Sequence, residues 1–290
     1  MLREREKNGV RYFVSDEIDD AGGAIHAFLT RKGGVSSPPF ASLNFDARAK
    51  DRDADTPENI ARNRSIFADA MGLSGAQMKR LVILNQVHGV RIITVDAGYD
   101  FEIGVEPPQG VKPPQKDADA VITDVIGTPI GILTADCLPV LLYDPVKKAV
   151  GAAHAGWKGA YQKIGALTVA VMRERFGSDP GDIRAALGPF IGPCCYAVKD
   201  DVRAKFKEAF GSDAGLFFSG QDGLRLDIGK ANVKTLLDAG LREENIAANG
   251  PCTACNSGLF FSYRKENGRT GRQISVIMLR EARGPLRGFN

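Results

Sequence analysis

Three side chains able to bind a soft metal or to act as nucleophile and base stand at predicted turns: His88 in NQVHG (85–89), Cys137 in TADCLPVLLYDP (134–145) and His154 in AAHAGWKG (152–159). They are far apart in sequence, with no local ligand motif of the H-E-x-x-H kind, so their meaning depends on what surrounds them. Three chemistries fit. Cys137 could be a small core residue beside hydrogen-bonded histidines. It could be a nucleophile whose thiolate His154 favours, since cysteine needs a neighbouring base or cation to react at neutral pH. Or His88, Cys137 and His154 could hold one metal ion, leaving a fourth position open as catalytic zinc sites do. A blue-copper site would add a weak axial methionine, and none of the five methionines lies close in sequence, so zinc is the favoured metal.

The elements expected to aim these residues alternate between strand and helix. AIHAFLT (24–30) reads as a strand leading into the loop RKGGVSSPPF (31–40). Thr56-Pro57 followed by ENIARNRSIFADAMG predicts a capped helix that stops at Gly72. LVIL (81–84) and VRIITV (90–95) predict strands on either side of His88, and the Gly/Pro-rich stretch Tyr99 to Gln115 predicts a long loop. ADAVIT, IGILT, LPVLLYD and KAVGAAH read as four strands at the centre of one sheet. A helix is expected from about Lys158 to Phe176, then the strand IRAALG, helices near Asp200–Phe210 and Lys230–Ala239, and a last strand QISVIML. Strand ends are where a rigid sheet can direct several side chains at one point.

The chain has 290 residues, 43% hydrophobic and 25% charged, and a formal charge of +3 with its cations scattered apart from the basic tip MLREREK. That balance gives no reason to expect nucleic acid or an anionic membrane as a partner. No signal peptide and no membrane-length apolar run is apparent, so a soluble cytoplasmic protein is expected. Five cysteines argue for reduced thiols over a disulfide framework, and three histidines leave few candidates for imidazole chemistry. With no repeat, linker or change of composition, residues 1–290 are expected to form a single α+β domain.

The motifs NQVHG, TADCLPVLLYDP, AAHAGWKG, LGPFIGPCCY (187–196) and FFSYRKENGRTGR (260–272), with TRKGGVS (30–36) and SLNF (42–45), together resemble the YfiH family across nearly the whole chain. Members of that family were first described as multicopper polyphenol oxidases, or laccases, and are now regarded as purine nucleoside phosphorylases that also deaminate adenosine. The resemblance implies a mixed β-sheet sandwich flanked by helices, a fold shared with the cysteine-hydrolase domain of cytotoxic necrotizing factor. It also implies that His88, Cys137 and His154 bind zinc, with copper less favoured, and that adenosine, inosine and phosphate are substrates, 5′-methylthioadenosine being a further candidate. The oligomeric state stays open. One departure is Lys158, where the family commonly has arginine; lysine keeps the charge and loses the bidentate fork.

For phosphorolysis, Arg31, Lys32, Lys158 and Arg264 are the candidates to hold phosphate, and Asn44 and Gln86 the candidates to read base or ribose. Asp136, next to the ligand cysteine, is expected to carry a proton or to support a ligand histidine. Zinc deaminases of the base-editing type pair H-x-E with P-C-x-x-C. Pro251-Cys252-Thr253-Ala254-Cys255 supplies half of that pattern and no H-x-E precedes it, so Cys252 and Cys255 are expected to be reduced thiols near the site. Cys194 and Cys195 are expected to be small packed residues, and His26, mid-strand, a structural histidine. Two other functions compete: copper-dependent phenol oxidation, for which three histidines are too few, and an amide-cleaving cysteine hydrolase with Cys137 as nucleophile and His154 as base.

Overall fold

The structure is a computed structural model and describes residues 1–47, 54–98, 117–220 and 224–280. The predicted loop from Tyr99 to Gln115 lies outside the described residues. An N-terminal hairpin of β1 (Leu2–Lys7) and β2 (Val10–Ser15) leads through α1 (Asp16–Ala21) into β3 (Ala24–Leu29). Helix α2 (Pro57–Met71) begins as its sequence predicts, with the Thr56 side chain accepting from the Asn59 N–H and proline in the first turn. A short α3 (Gly75–Lys79) carries a capping box between Ser74 and Gln77.

The central strands are β4 (Val82–Ile83), β5 (Ile92–Val95), β6 (Ala120–Thr123), β7 (Ile130–Thr134), β8 (Leu138–Asp144) and β9 (Ala149–Ala155). After them come α4 (Trp157–Tyr161), α5 (Ile164–Phe176), β10 (Arg184–Leu187), α6 (Asp200–Phe210), β11 (Phe218–Ser219), β12 (Arg225–Leu226), α7 (Ile228–Asp238), β13 (Ile246–Ala247) and β14 (Gln273–Leu279). One six-stranded sheet runs β1-β2-β3-β14-β7-β4 and a second runs β13-β10-β8-β9-β6-β5; β11 and β12 pair separately.

Strict alternation sorts the strands' side chains into layers. Ile277 and Leu279 of β14 join Ile130 and Ile132 of β7 against Val121, Leu141 and Val150 of the second sheet, forming the core between the two sheets. Ile274, Val276 and Met278 turn the other way, onto Phe67 and Ala68 of α2. On the far side of the second sheet, Leu138, Val140 and Leu142 pack with Val169 and Met172 of α5, Phe206 of α6 and Leu236 of α7. The layers are therefore helix, sheet, sheet, helix, an α+β sandwich of two mixed sheets. Because both faces of the inner strands are covered, β7, β8, β9 and β14 are buried along their whole length, which explains their largely apolar sequences.

Two expectations are corrected here. The four central runs do not share one sheet: β7 belongs to the first, whereas β6, β8 and β9 belong to the second. An apolar run buried on both faces looks the same in either sheet, so periodicity cannot assign it. The single helix expected from Lys158 is two helices, broken at Lys163, which takes a left-handed φ of 63°. With no glycine or proline at 162–163, the break leaves no mark in the sequence.

Candidate metal centre

The chain crosses between sheets three times at one end of the sandwich, from β4 to β5, from β7 to β8 and from β13 to β14. His88 lies in the first crossing and Cys137 in the second. His154 sits on β9 opposite Pro139, so Cys137, one residue before Leu138, faces the turn at Gly156. A β-carbon on Gly156 would come within 2.9 Å of Cys137 Sγ and 3.3 Å of His88 Cδ2. Glycine is needed there because the backbone passes against both side chains.

The ligand atoms of His88, Cys137 and His154 all lie within 4.8 Å of one another. Cys137 Sγ is 3.9 Å from His88 Nε2, and the two imidazoles meet edge to face with centroids 4.8 Å apart. His88 is exposed, Cys137 half-buried and His154 buried, so the cluster opens toward solvent on one side.

Asp119, which sequence reasoning missed, organises this cluster. Fully buried, it accepts from the backbone N–H of Val87, His88 and Gly89 and lies 2.8 Å from His154 Nδ1. The three backbone bonds hold His88 in its left-handed conformation (φ 61°), and the fourth contact leaves His154 Nε2 to face the cluster. Asp119 stands just before Ala120, whose partner on β9 is Ala153. Its only mark in the sequence is an acid immediately preceding an apolar strand.

Burial opposes charge on all three partners, and their mutual contacts outweigh it. Burial raises the Cys137 thiol pKa, but His154 and His88 bring it down to about 6. Burial lowers the His154 pKa, yet the Cys137 sulfur and Asp119 lift it to about 9. Burial likewise raises Asp119, and its bonds to His154, Gly89 and His88 carry it below the ordinary carboxylate value. The two shifts run in opposite directions and favour a thiolate beside an imidazolium.

The cluster borders a cavity of about 400 Å³, within the range of small-molecule sites. Trp157, Tyr196 and Tyr263 supply its aromatic surface, and Arg264 and Arg272 its cations. Arg264 Nη1 donates to the Ala197 carbonyl with the guanidinium 5.3 Å from the Tyr196 ring centre; Arg272 Nη1 donates to the Thr270 and Gly271 carbonyls. Arg272 and the three aromatics were also missed, although three of these four residues lie in or beside the FFSYRKENGRTGR and HAGWKG segments.

Of the other candidates, Gln86 borders the cavity but its amide is committed, donating to the Leu133 carbonyl and accepting from the Leu133 N–H. Asp136 also borders it, and its carboxylate takes the Thr253 hydroxyl and the Arg264 N–H, each at 2.6 Å. Asp136 thus fixes the Arg264 loop, while the histidine support expected of it falls to Asp119.

Arg31, Lys32, Asn44 and Lys158 are not among the residues lining the cavity. Arg31 is spent on the Ala41 and Ser257 carbonyls and on Glu266. Lys32 and Lys158 are exposed. Asn44 is buried and accepts from the Arg272 N–H, so it acts on the cavity through Arg272. His26 is structural, its Nε2 accepting from the Ser15 N–H. Cys194 and Cys195, expected to be small packed residues, and Cys252 and Cys255, expected to be reduced thiols near the site, form a second cluster whose sulfurs lie within 4.8 Å of one another.

Residues 25–280 match the family described as multi-copper polyphenol oxidoreductase laccase. The chain belongs to this laccase-like family. Its relatives in the family include purine nucleoside phosphorylase YlmD of Bacillus subtilis, 35% identical over 259 residues and covering 89% of each chain. Purine nucleoside phosphorylase YfiH of Escherichia coli is 34% identical over 258 residues, 89% of this chain and 94% of that one. The crystal structure of YfiH from Bacillus licheniformis superposes with a TM-score of 0.84 at 33% identity, over 96% of this chain and 99% of that one. YlmD from Geobacillus stearothermophilus gives 0.83 at 31%, over 96% and 98%. The sandwich described above is the YfiH/YlmD fold. Among the described residues no helix is long and apolar enough to cross a membrane.

Proposed function

We propose that the protein is a zinc-dependent purine nucleoside phosphorylase, acting on inosine and adenosine and on analogues such as 5′-methylthioadenosine, with adenosine deamination as a second activity. The observation that carries this reading is the convergence of His88, Cys137 and His154 on a cavity that offers aromatic faces and two anchored arginines together. Relatives named purine nucleoside phosphorylase support the same reading.

The donor set fits zinc. One thiolate and two imidazoles make a three-ligand site, and Asp119 on His154 Nδ1 is the carboxylate support that metal-bound histidines ordinarily have. With His26 bonded elsewhere, only two imidazoles reach the cluster, too few for an imidazole-rich multicopper centre. Zinc held there would supply Lewis-acid chemistry at its open position, serving the departing purine in one reaction and a water in the other.

The chain's own residues bind and orient. Trp157, Tyr196 and Tyr263 offer apolar faces to the planar base. Arg264 and Arg272, each fixed by bonds from one guanidinium nitrogen to backbone carbonyls, present their other donors to phosphate, which replaces the assignment of that role to Arg31, Lys32 and Lys158. Asp136 and Asn44 position these two arginines through the backbone N–H of Arg264 and Arg272. Residues 1–290 are taken as one domain, a reading supported by the buried core the two sheets share.

The test is direct. Zinc-loaded protein incubated with inosine or adenosine and phosphate should release free base and ribose 1-phosphate, and chelation should abolish the release until zinc is returned. No base released, or Cys137→Ala matching the wild type, would refute the proposal. One observation favours a second reading: Asp119, His154 and Cys137 line up as the acid, base and nucleophile of a cysteine hydrolase. Amide cleavage that survives chelation, with an adduct trapped on Cys137, would establish that reading instead.

A further inference from the structure

We propose that Cys194, Cys195, Cys252 and Cys255 form a second metal site, a tetrathiolate that binds one zinc ion and ties together two loops of the cavity wall. The inference is independent of the reaction assigned to the first site.

The four residues are every cysteine in the chain other than Cys137, and all four are free thiols. Cys194 and Cys195 come as an adjacent pair, and Cys252 and Cys255 as a C-x-x-C far along the chain. Folding brings the pairs into one group whose sulfurs lie within 4.8 Å of one another. Cys255 Sγ is 3.4 Å from both Cys194 Sγ and Cys195 Sγ. Tetrahedral zinc with Zn–S bonds of about 2.3 Å needs sulfurs about 3.8 Å apart, so only small side-chain rotations separate this cluster from a closed site.

The backbone around the sulfurs is built for such a site. Phe190 and Cys252 form a parallel bridge, the Thr253 N–H donates to the Phe190 carbonyl at 2.9 Å, and the Gly192 N–H donates to Cys252 Sγ at 3.2 Å. N–H donation to sulfur favours the thiolate that a metal requires. A β-carbon on Gly192 would stand 3.3 Å from Cys252 Cβ and 3.4 Å from Cys194 Sγ, so glycine leaves the room the sulfurs occupy.

Four thiolates complete zinc's coordination, which makes this a structural site with no open position. Zinc suits it because an adjacent pair and a C-x-x-C impose an irregular tetrahedron, and zinc has no d-electron preference for one geometry over another. Each binding thiol gives its proton to solvent and the sulfur pair becomes a metal–sulfur bond, with no change of oxidation state. The loops so joined carry Ile191 and Tyr196 of the cavity and Thr253, which holds Asp136.

The test uses the full chain carrying His88→Ala and His154→Ala, which dismantles the first site. Prepared under reducing conditions with zinc and then desalted, it should retain about one zinc per chain, and absorption at the zinc edge should show a sulfur-only shell near 2.3 Å. Four of the five cysteines should resist a thiol reagent until a chelator is added. Adding Cys252→Ser and Cys255→Ser should remove the metal; if those changes prevent folding, the shell and the thiol protection in the histidine variant decide. Loss of zinc from the histidine variant, nitrogen or oxygen in the shell, iron or copper in place of zinc, or disulfides among the four cysteines would overturn the proposal.

Discussion

The two sulfur-bearing clusters differ in what lies around them. Cys137 shares its site with two imidazoles, a buried carboxylate and a cavity, whereas the other four cysteines have one another, backbone N–H groups and no place on the cavity lining. Under the two proposals, three ligands would leave zinc a position for substrate and four would close it, which would put chemistry at the first cluster and loop fixation at the second. The same residue type thus takes its role from the number and kind of its neighbours.

The largest contrast should come from removing one sulfur at each place. Cys137→Ala should lower phosphorolysis by more than the roughly 10–100-fold typical of altering a ligand's hydrogen-bond partner, with the thermal midpoint little changed. Cys255→Ala should do the reverse, lowering the midpoint in zinc while leaving most of the turnover. Steady-state rates and melting curves on the two variants check it, and equal loss of activity in both would erase the distinction.

A smaller effect is expected at Asp119. Asp119→Asn removes one of the charges holding His154 and weakens the carboxylate that fixes the His88 turn, so zinc affinity and turnover should fall by about 10–100-fold. The zinc content of the cysteine cluster should be unaffected. Metal titrations of Asp119→Asn would show whether the loss is confined to the first site.

The third histidine provides a reference outside both clusters. Burial first, then Arg280, lowers the His26 pKa to about 4 from 6.5, so the unfolded chain binds a proton that the folded chain refuses between those values. Stability from His26 is therefore complete above about pH 6.5 and is lost as pH falls toward 4, on the order of 3 kcal/mol at most. Denaturant unfolding across that window should show the slope, and His26→Gln, which can still accept from the Ser15 N–H, should flatten it.

Much of the fold was legible because local physics left marks. Thr56-Pro57 announced α2, and QISVIML and LPVLLYD announced strands. The basic tip MLREREK showed no such mark, since β1 is an edge strand whose exposed residues carry charge instead of alternation. Within the site, scarcity and strand-end placement made His88, Cys137 and His154 candidates, with packing, nucleophile and metal-ligand readings all open until the family resemblance favoured the last. The substrate-facing cations were harder to pick, because a cation's partner is invisible in sequence: Arg31 is bound by Glu266 and two carbonyls, and Arg272 reaches the cavity from a loop.

By itself the sequence determined the alternation of strands and helices, the short supply of imidazole and the presence of an unpaired cysteine between two apolar strands. Only the tertiary structure decided which strands share a sheet, that Asp119 and not Asp136 supports His154, and that two distant cysteine pairs meet. The reason is physical: periodicity and capping act over a few residues, whereas ligand clusters are assembled by register between strands and by loops that the sheets bring together.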